Sequence, residues 1–145
     1  MDTSAIIKRY VSEVGTAWIT ALAQPVAGNI TIIARLTTVE GCSVLARLQR
    51  LKQLSATDGN RLRNDFLVHA DKEYLTVAID DSVLKRACDL VAKYPLRTLD
   101  AIQRACALEA TTVLGEALTF LSADTELLNA ATSEGFATDN PLAHP

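Results

Sequence analysis

Three short apolar runs constrain this chain most: residues 29–34 (NITIIA), 75–79 (LTVAI) and 118–121 (LTFL). Each is rich in β-branched residues, and none alternates between apolar and polar. A run of that kind reads as a strand buried on both faces, as in a parallel sheet covered by helices. The stretches between them carry helical periodicity over residues 5–10, 16–23, 36–54, 57–73, 82–94, 99–114 and 126–134. Asp80-Asp81-Ser82 and Thr98 are the expected N-caps, and Gly115 and Gly135 the expected stops. Strands alternating with helices predict an α/β fold, with helices on both faces of a short, mainly parallel central sheet. With no linker, repeat or shift in composition, residues 1–145 read as a single domain.

Several functions are excluded at once. Seven aromatic residues are too few for a module that reads bases by stacking, and a net charge of −3 excludes nucleic-acid binding by overall basicity. No apolar run approaches the ~18–20 residues of a membrane span. The opening Met-Asp-Thr-Ser lacks the features of a secretory signal. Cys42, Cys88 and Cys106 are odd in number and far apart, so disulfide and zinc frameworks are unsupported. All three fall in helical stretches, where a cysteine is expected as a small buried hydrophobe, and a reducing cytoplasm is the expected compartment. His69 and His144 have no Cys or His at ligand spacing, and neither supplies the base of a nucleophile triad. The phosphate-cradling glycine motifs are absent, and Ser4 at the second position after Asp2 excludes a D-x-D nucleophile.

The acids are placed suggestively. Asp2 opens a turn leading into an apolar helix, at the carboxyl edge where open α/β sheets bind ligands. Glu40 shares a helix face with Leu36, Val44, Arg47, Leu48 and Leu51. Such a carboxylate needs a cation, an arginine or hydrogen-bond donors to offset desolvation, and a pair with Arg47 or another nearby arginine is the plain structural alternative. Asp100 lies in the first turn of its helix and Asp124 opens the next one, positions that also suit capping or the helix dipole. Brought together, the four could not all stay ionised without cations, and all-oxygen ligation would favour Mg²⁺ or Mn²⁺. Phosphodiester hydrolysis is the matching chemistry. Residues 35–63 carry six basic residues against two acids, a net +4 that leaves −7 elsewhere. That segment is either a solvated helical hairpin or a rim that steers a polyanion.

The opening MDTSAIIKRY, the TTVE of 37–40, PLRTLDAIQ at 95–103, LTFLSAD at 118–124 and EGF…NP at 134–141 occur in an order that resembles the PIN domain family. More narrowly, they resemble the toxin ribonuclease of a VapBC-type toxin–antitoxin pair. The resemblance implies a three-layer fold and an acidic pocket holding Mg²⁺ or Mn²⁺. By position, Asp2, Glu40 and Asp100 match the three central acids and Asp124 the more variable fourth. Ser4 matches the hydroxyl residue that would bind ligand or phosphate, with Thr3 and Ser122 as weaker candidates. It further implies cleavage of RNA, homodimerisation and neutralisation by a cognate antitoxin. Val11, Trp18, Ile19, Leu48, Leu51 and Leu54 exceed one narrow core stripe: most are expected to face the core, and some could form an apolar groove for an antitoxin helix. In the family, apolar residues precede the first acid and form the central strand. Here Met1 alone precedes it, so that strand is expected to be truncated before Asp2. Two other readings use the same residues: a non-catalytic PIN-like binding or scaffold protein, and a PIN nuclease of RNA maturation or of DNA.

Overall fold

The computed structural model describes residues 1–144. Its α-helices are α1 (Thr3–Ile6), α2 (Thr16–Ala23), α3 (Arg35–Arg50), α4 (Ala56–Lys72), α5 (Asp81–Lys93), α6 (Thr98–Leu114) and α7 (Thr125–Ser133). The strands are β1 (Ile32–Ala34), β2 (Leu75–Val77), β3 (Thr119–Leu121) and β4 (Ala137–Asp139). The α/β class follows the sequence, and each long helix lies close to its predicted span. The expected first helix is instead a single α turn continued as a 3-10 turn over Ile7–Arg9. All three predicted strands are shorter than their apolar runs, because pairing stops where the partner strand ends.

Local chemistry explains most boundaries. Asp80 caps α5 by accepting the Val83 N–H at 3.0 Å, and Val83, Ala87 and Leu90 then recur on its buried face. Gly115 ends α6 in the left-handed region, with φ +67°. The cap of α6 differs from expectation: Arg97 holds that place with no side-chain cap, and Thr98 is already helical. Helices α3 and α4 approach so closely that a Cβ on Gly41 would lie 2.4 Å from the Phe66 ring, which is fully buried. That contact belongs to a core of Ile6, Ile33, Leu45 and Phe66. A second core, with Ala34, Val83, Leu90 and Ala105, lies between the β1–β2 pair and helices α5 and α6. A third joins Phe120, Leu127, Ala131 and Phe136 around β3 and β4.

The sheet departs from a continuous layer. Strands β1 and β2 form one parallel pair, and β3 and β4 form another. Both β1 and β3 line a cavity of about 400 Å³, bounded also by Met1, Leu22, Cys106 and Phe136. The backbone linking the two pairs is Met1–Asp2: the Met1 amine donates to Ile32 O at 2.9 Å, and Asp2 N–H donates to Leu121 O at 3.0 Å. Residues 1–2 therefore stand where a strand joining the pairs would end. Burial holds the Met1 amine down to about 6, with Asp2 opposing.

Other expectations are corrected. Cys106 is buried, but Cys88 is exposed and Cys42 half-buried, and all three are free thiols. Of the residues expected to line a groove, Ile19 is fully buried, Val11 and Leu54 pack on the first core, and Trp18 is stacked under His144 at 4.0 Å. Leu51 is exposed. Helix packing thus takes up part of that apolar surface, as the core reading expects, and leaves Leu51 open. Among the described residues, no helix is long and apolar enough to cross a membrane.

Candidate active site

Four separated segments meet where α1, α3 and α6 adjoin the β3–α7 turn. Asp2 is 6% exposed and caps α1, its Oδ1 accepting the Ala5 N–H at 3.1 Å. Ser4 donates to Asp2 at 2.9 Å while accepting the Ala123 N–H at 2.8 Å, which stitches α1 to the β3–α7 turn. Ser122 accepts the Asp124 N–H at 3.0 Å and lies 3.3 Å from the Ser4 hydroxyl. Ser122 is fully buried, so it fixes this turn rather than facing a bound molecule. Asp124 is exposed and caps α7 through Oδ1, accepting the N–H groups of Glu126 and Leu127 at 2.8 and 3.1 Å. The capping roles legible in the sequence are thus real, and they occupy one oxygen of each of these two acids.

Glu40 does not pair with Arg47. Its Oε2 accepts from the Thr3 hydroxyl and, at 2.7 Å, from Nε2 of Gln103. Gln103 is 6% exposed, and the same amide nitrogen lies 3.0 Å from the hydroxyl of the fully buried Thr37. Thr37 and Gln103 are the residues sequence reasoning passed over. The available signal was spacing: Thr37 stands three before Glu40 and Gln103 three after Asp100, each on the same helical face as its acid.

Asp100 completes the group. Its carboxyl is raised above the usual range, first by burial and then by the charges of Asp124 and Glu40, with Arg97 opposing. Asp100, Asp124, Arg97 and Glu126 line a small polar pocket of about 170 Å³, distinct from the larger apolar cavity. Asp2 is raised as well, chiefly by burial, against the hydrogen bond from Ser4, the bond from Ala5 N–H and the charge of the Met1 amine. The basic residues of α3 and α4 remain on the surface: Arg47, Arg50 and Arg63 are exposed, and Arg61 faces Asp65 at 3.4 Å.

The donor set is all oxygen, and the charge of Asp100, Asp124 and Glu40 is uncompensated apart from Arg97. Both properties fit a hard divalent cation. Among the described residues, however, no three His, Cys, Asp or Glu side chains already stand together as a metal-holding group. A family model for the PIN domain matches residues 1–132. No curated protein matches the chain.

Proposed function

The chain belongs to the PIN domain family, a nuclease-type fold whose members generally use divalent metal ions, and from that premise we propose that it is an endoribonuclease. We further propose that it acts as the toxin of a toxin–antitoxin pair, with Mg²⁺ or Mn²⁺ as cofactor, a cognate antitoxin as partner and a homodimer as its assembly. The observation that carries the reading is the small polar pocket that Asp100 and Asp124 line from separate segments, where burial first, and then the charges of Asp124 and Glu40, raise the Asp100 carboxyl. A fold has no structural need to bring repelling carboxylates from distant segments to one pocket, whereas a polyanion-cleaving site does.

In this reading Asp100, Asp124, Glu40 and Asp2 hold the cation. When bound, it supplies charge neutralisation at a phosphate and acidifies water for attack on phosphorus. The protein's own work is positional. Ser4 and Ser122 lock Asp2 to the turn that carries Asp124, and Thr3 and Gln103 hold one oxygen of Glu40. Exposed Arg97, beside Asp100 in the small pocket, is placed to meet a phosphate oxygen of the nucleic acid. Ser4 and Thr3 remain candidates for substrate contact, both being half-buried at the site.

The test incubates the protein with end-labelled RNAs in Mn²⁺ or EDTA beside Asp100→Asn. Cleavage that requires both the ion and Asp100 supports the reading. Inertness of the native chain across structured and unstructured RNAs rejects it. A second reading, a non-catalytic binding protein, draws support from Asp2 and Asp124 being engaged in helix caps. It predicts RNA retention without cleavage and no stabilisation by Mn²⁺.

A further inference from the structure

We propose that Gln103 is the positioning residue for Glu40, binding one carboxylate oxygen through a neutral donor so that the other keeps its full charge for a divalent cation. The inference rests on the cation reading above and names a role in it for a residue outside the acidic set. An ionised carboxylate only accepts hydrogen bonds, so the Gln103 amide must turn its nitrogen toward Glu40 Oε2. That leaves Gln103 Oε1 facing the Thr37 hydroxyl, which donates to it at 3.3 Å. The same hydroxyl lies closer to Gln103 Nε2, at 3.0 Å, so it is the Glu40 carboxylate that orientates the amide, inside a region where Thr37 is fully buried. Thr3 supplies the second donor to the same Glu40 oxygen. Among the described residues, Oε1 of Glu40 receives no hydrogen bond and no ion pair.

The chemistry explains why an amide serves here and a cationic side chain would not. Arginine or lysine at this place would hold Glu40 equally well but cancel the charge that attracts a metal. The next residue on α6 makes the contrast on the protein's own terms. Arg104 is fully buried too, yet it turns to the opposite side, over the Tyr94 ring at 4.7 Å and 4.0 Å from Glu134. Along its body, helix α6 thus presents a neutral donor to Glu40 and turns Arg104 away from it.

The test measures Mn²⁺ binding by calorimetry on the full chain, for the native protein, Gln103→Met and Gln103→Lys. Methionine preserves volume and removes the donor. We expect its Mn²⁺ affinity to fall by about tenfold, the scale of losing a partner that orientates a metal ligand. Lysine restores a donor and adds charge, and it abolishes Mn²⁺ binding while the folded state persists. Gln103→Asn, retaining a shorter amide, recovers part of the affinity lost in Gln103→Met. Should RNA cleavage be present, kcat falls with the affinity while KM for RNA stays near native. Equal Mn²⁺ affinity in the native protein and either Gln103→Met or Gln103→Lys overturns the role of Gln103 alone. No Mn²⁺ binding by the native protein overturns the cation reading itself, and this role with it.

Discussion

Extending the chain into the space between the strand pairs provides a quantitative test of how the fold is held together. Strands β1 and β3 are each three residues long, and both line the cavity that Met1 enters. Three β-branched residues added ahead of Met1 would lie beside residues 30–32 and 118–120. Burying three such side chains contributes about 6 kcal/mol, and about four new ladder hydrogen bonds add about 4 kcal/mol. Ordering three residues costs about 7 kcal/mol in backbone and side-chain entropy. A further contribution comes from the amine. With its pKa lowered to about 6 from 8.0, the folded chain at pH 7 sheds a proton that the unfolded chain keeps. Converting the amine to an amide removes that cost of about 1 kcal/mol. The net gain is about 4 kcal/mol, or a rise of about 12 °C in Tm for a domain of this size. The assay compares thermal unfolding at pH 7 for the native chain, the apolar extension and a polar Gly-Ser-Ser extension. The polar extension relieves the amine alone and gains about 3 °C. If the apolar extension melts no higher than the polar one, the cavity does not accept a strand and the reasoning fails.

Other expectations follow from single contacts. Because the folded-state carboxyl of Asp100 is raised, its ionised form opposes folding at neutral pH. Asp100→Asn should raise the Tm of the metal-free protein at pH 7 and remove any stabilisation by Mn²⁺; a lower metal-free Tm would contradict the crowding of the acids. Gly41→Ala drives a methyl into the buried Phe66 ring and should cost about 1–3 kcal/mol, read from urea unfolding. Glu134 is held below its ordinary range, mainly by hydrogen bonds from Lys93 and Tyr94. Its contribution is present above the unfolded carboxyl value and lost as pH falls through the folded one. Glu134→Gln should therefore flatten the acid side of the stability profile, and an unchanged slope would remove this group from the acid transition.

The sequence made the elements legible for a physical reason. Helix α2 spans the predicted residues because its ends are set locally, by Gly15 at φ +88° and by Pro25 beyond its last turn. The acids at 2, 40, 100 and 124 were also visible, since capping positions and strand ends can be read from composition and order. Pairing between distant segments was not visible. Nothing in LTVAI tells that β2 pairs with β1 and stops at Val77, or that the two pairs remain apart. Glu40 shows the same limit. Arg47, about two helical turns further along the same face, looked like its partner, whereas a neutral amide from another helix holds it. Helical periodicity reports which side of α3 is buried, but not which side chains of α6 arrive there.

The separation of the strand pairs has a mechanical consequence. Glu40 belongs to the helix that continues β1, and Asp124 to the turn that leaves β3, so the acids sit on either bank of one seam. Few backbone hydrogen bonds cross it, and two of those come from Met1 and Asp2. The width of the acidic cluster is therefore a soft coordinate, governed by breathing of one half against the other. A divalent ion seated between the banks would act as a clasp, slowing exchange of the Asp2 amide, whose bond to Leu121 O lies at the seam.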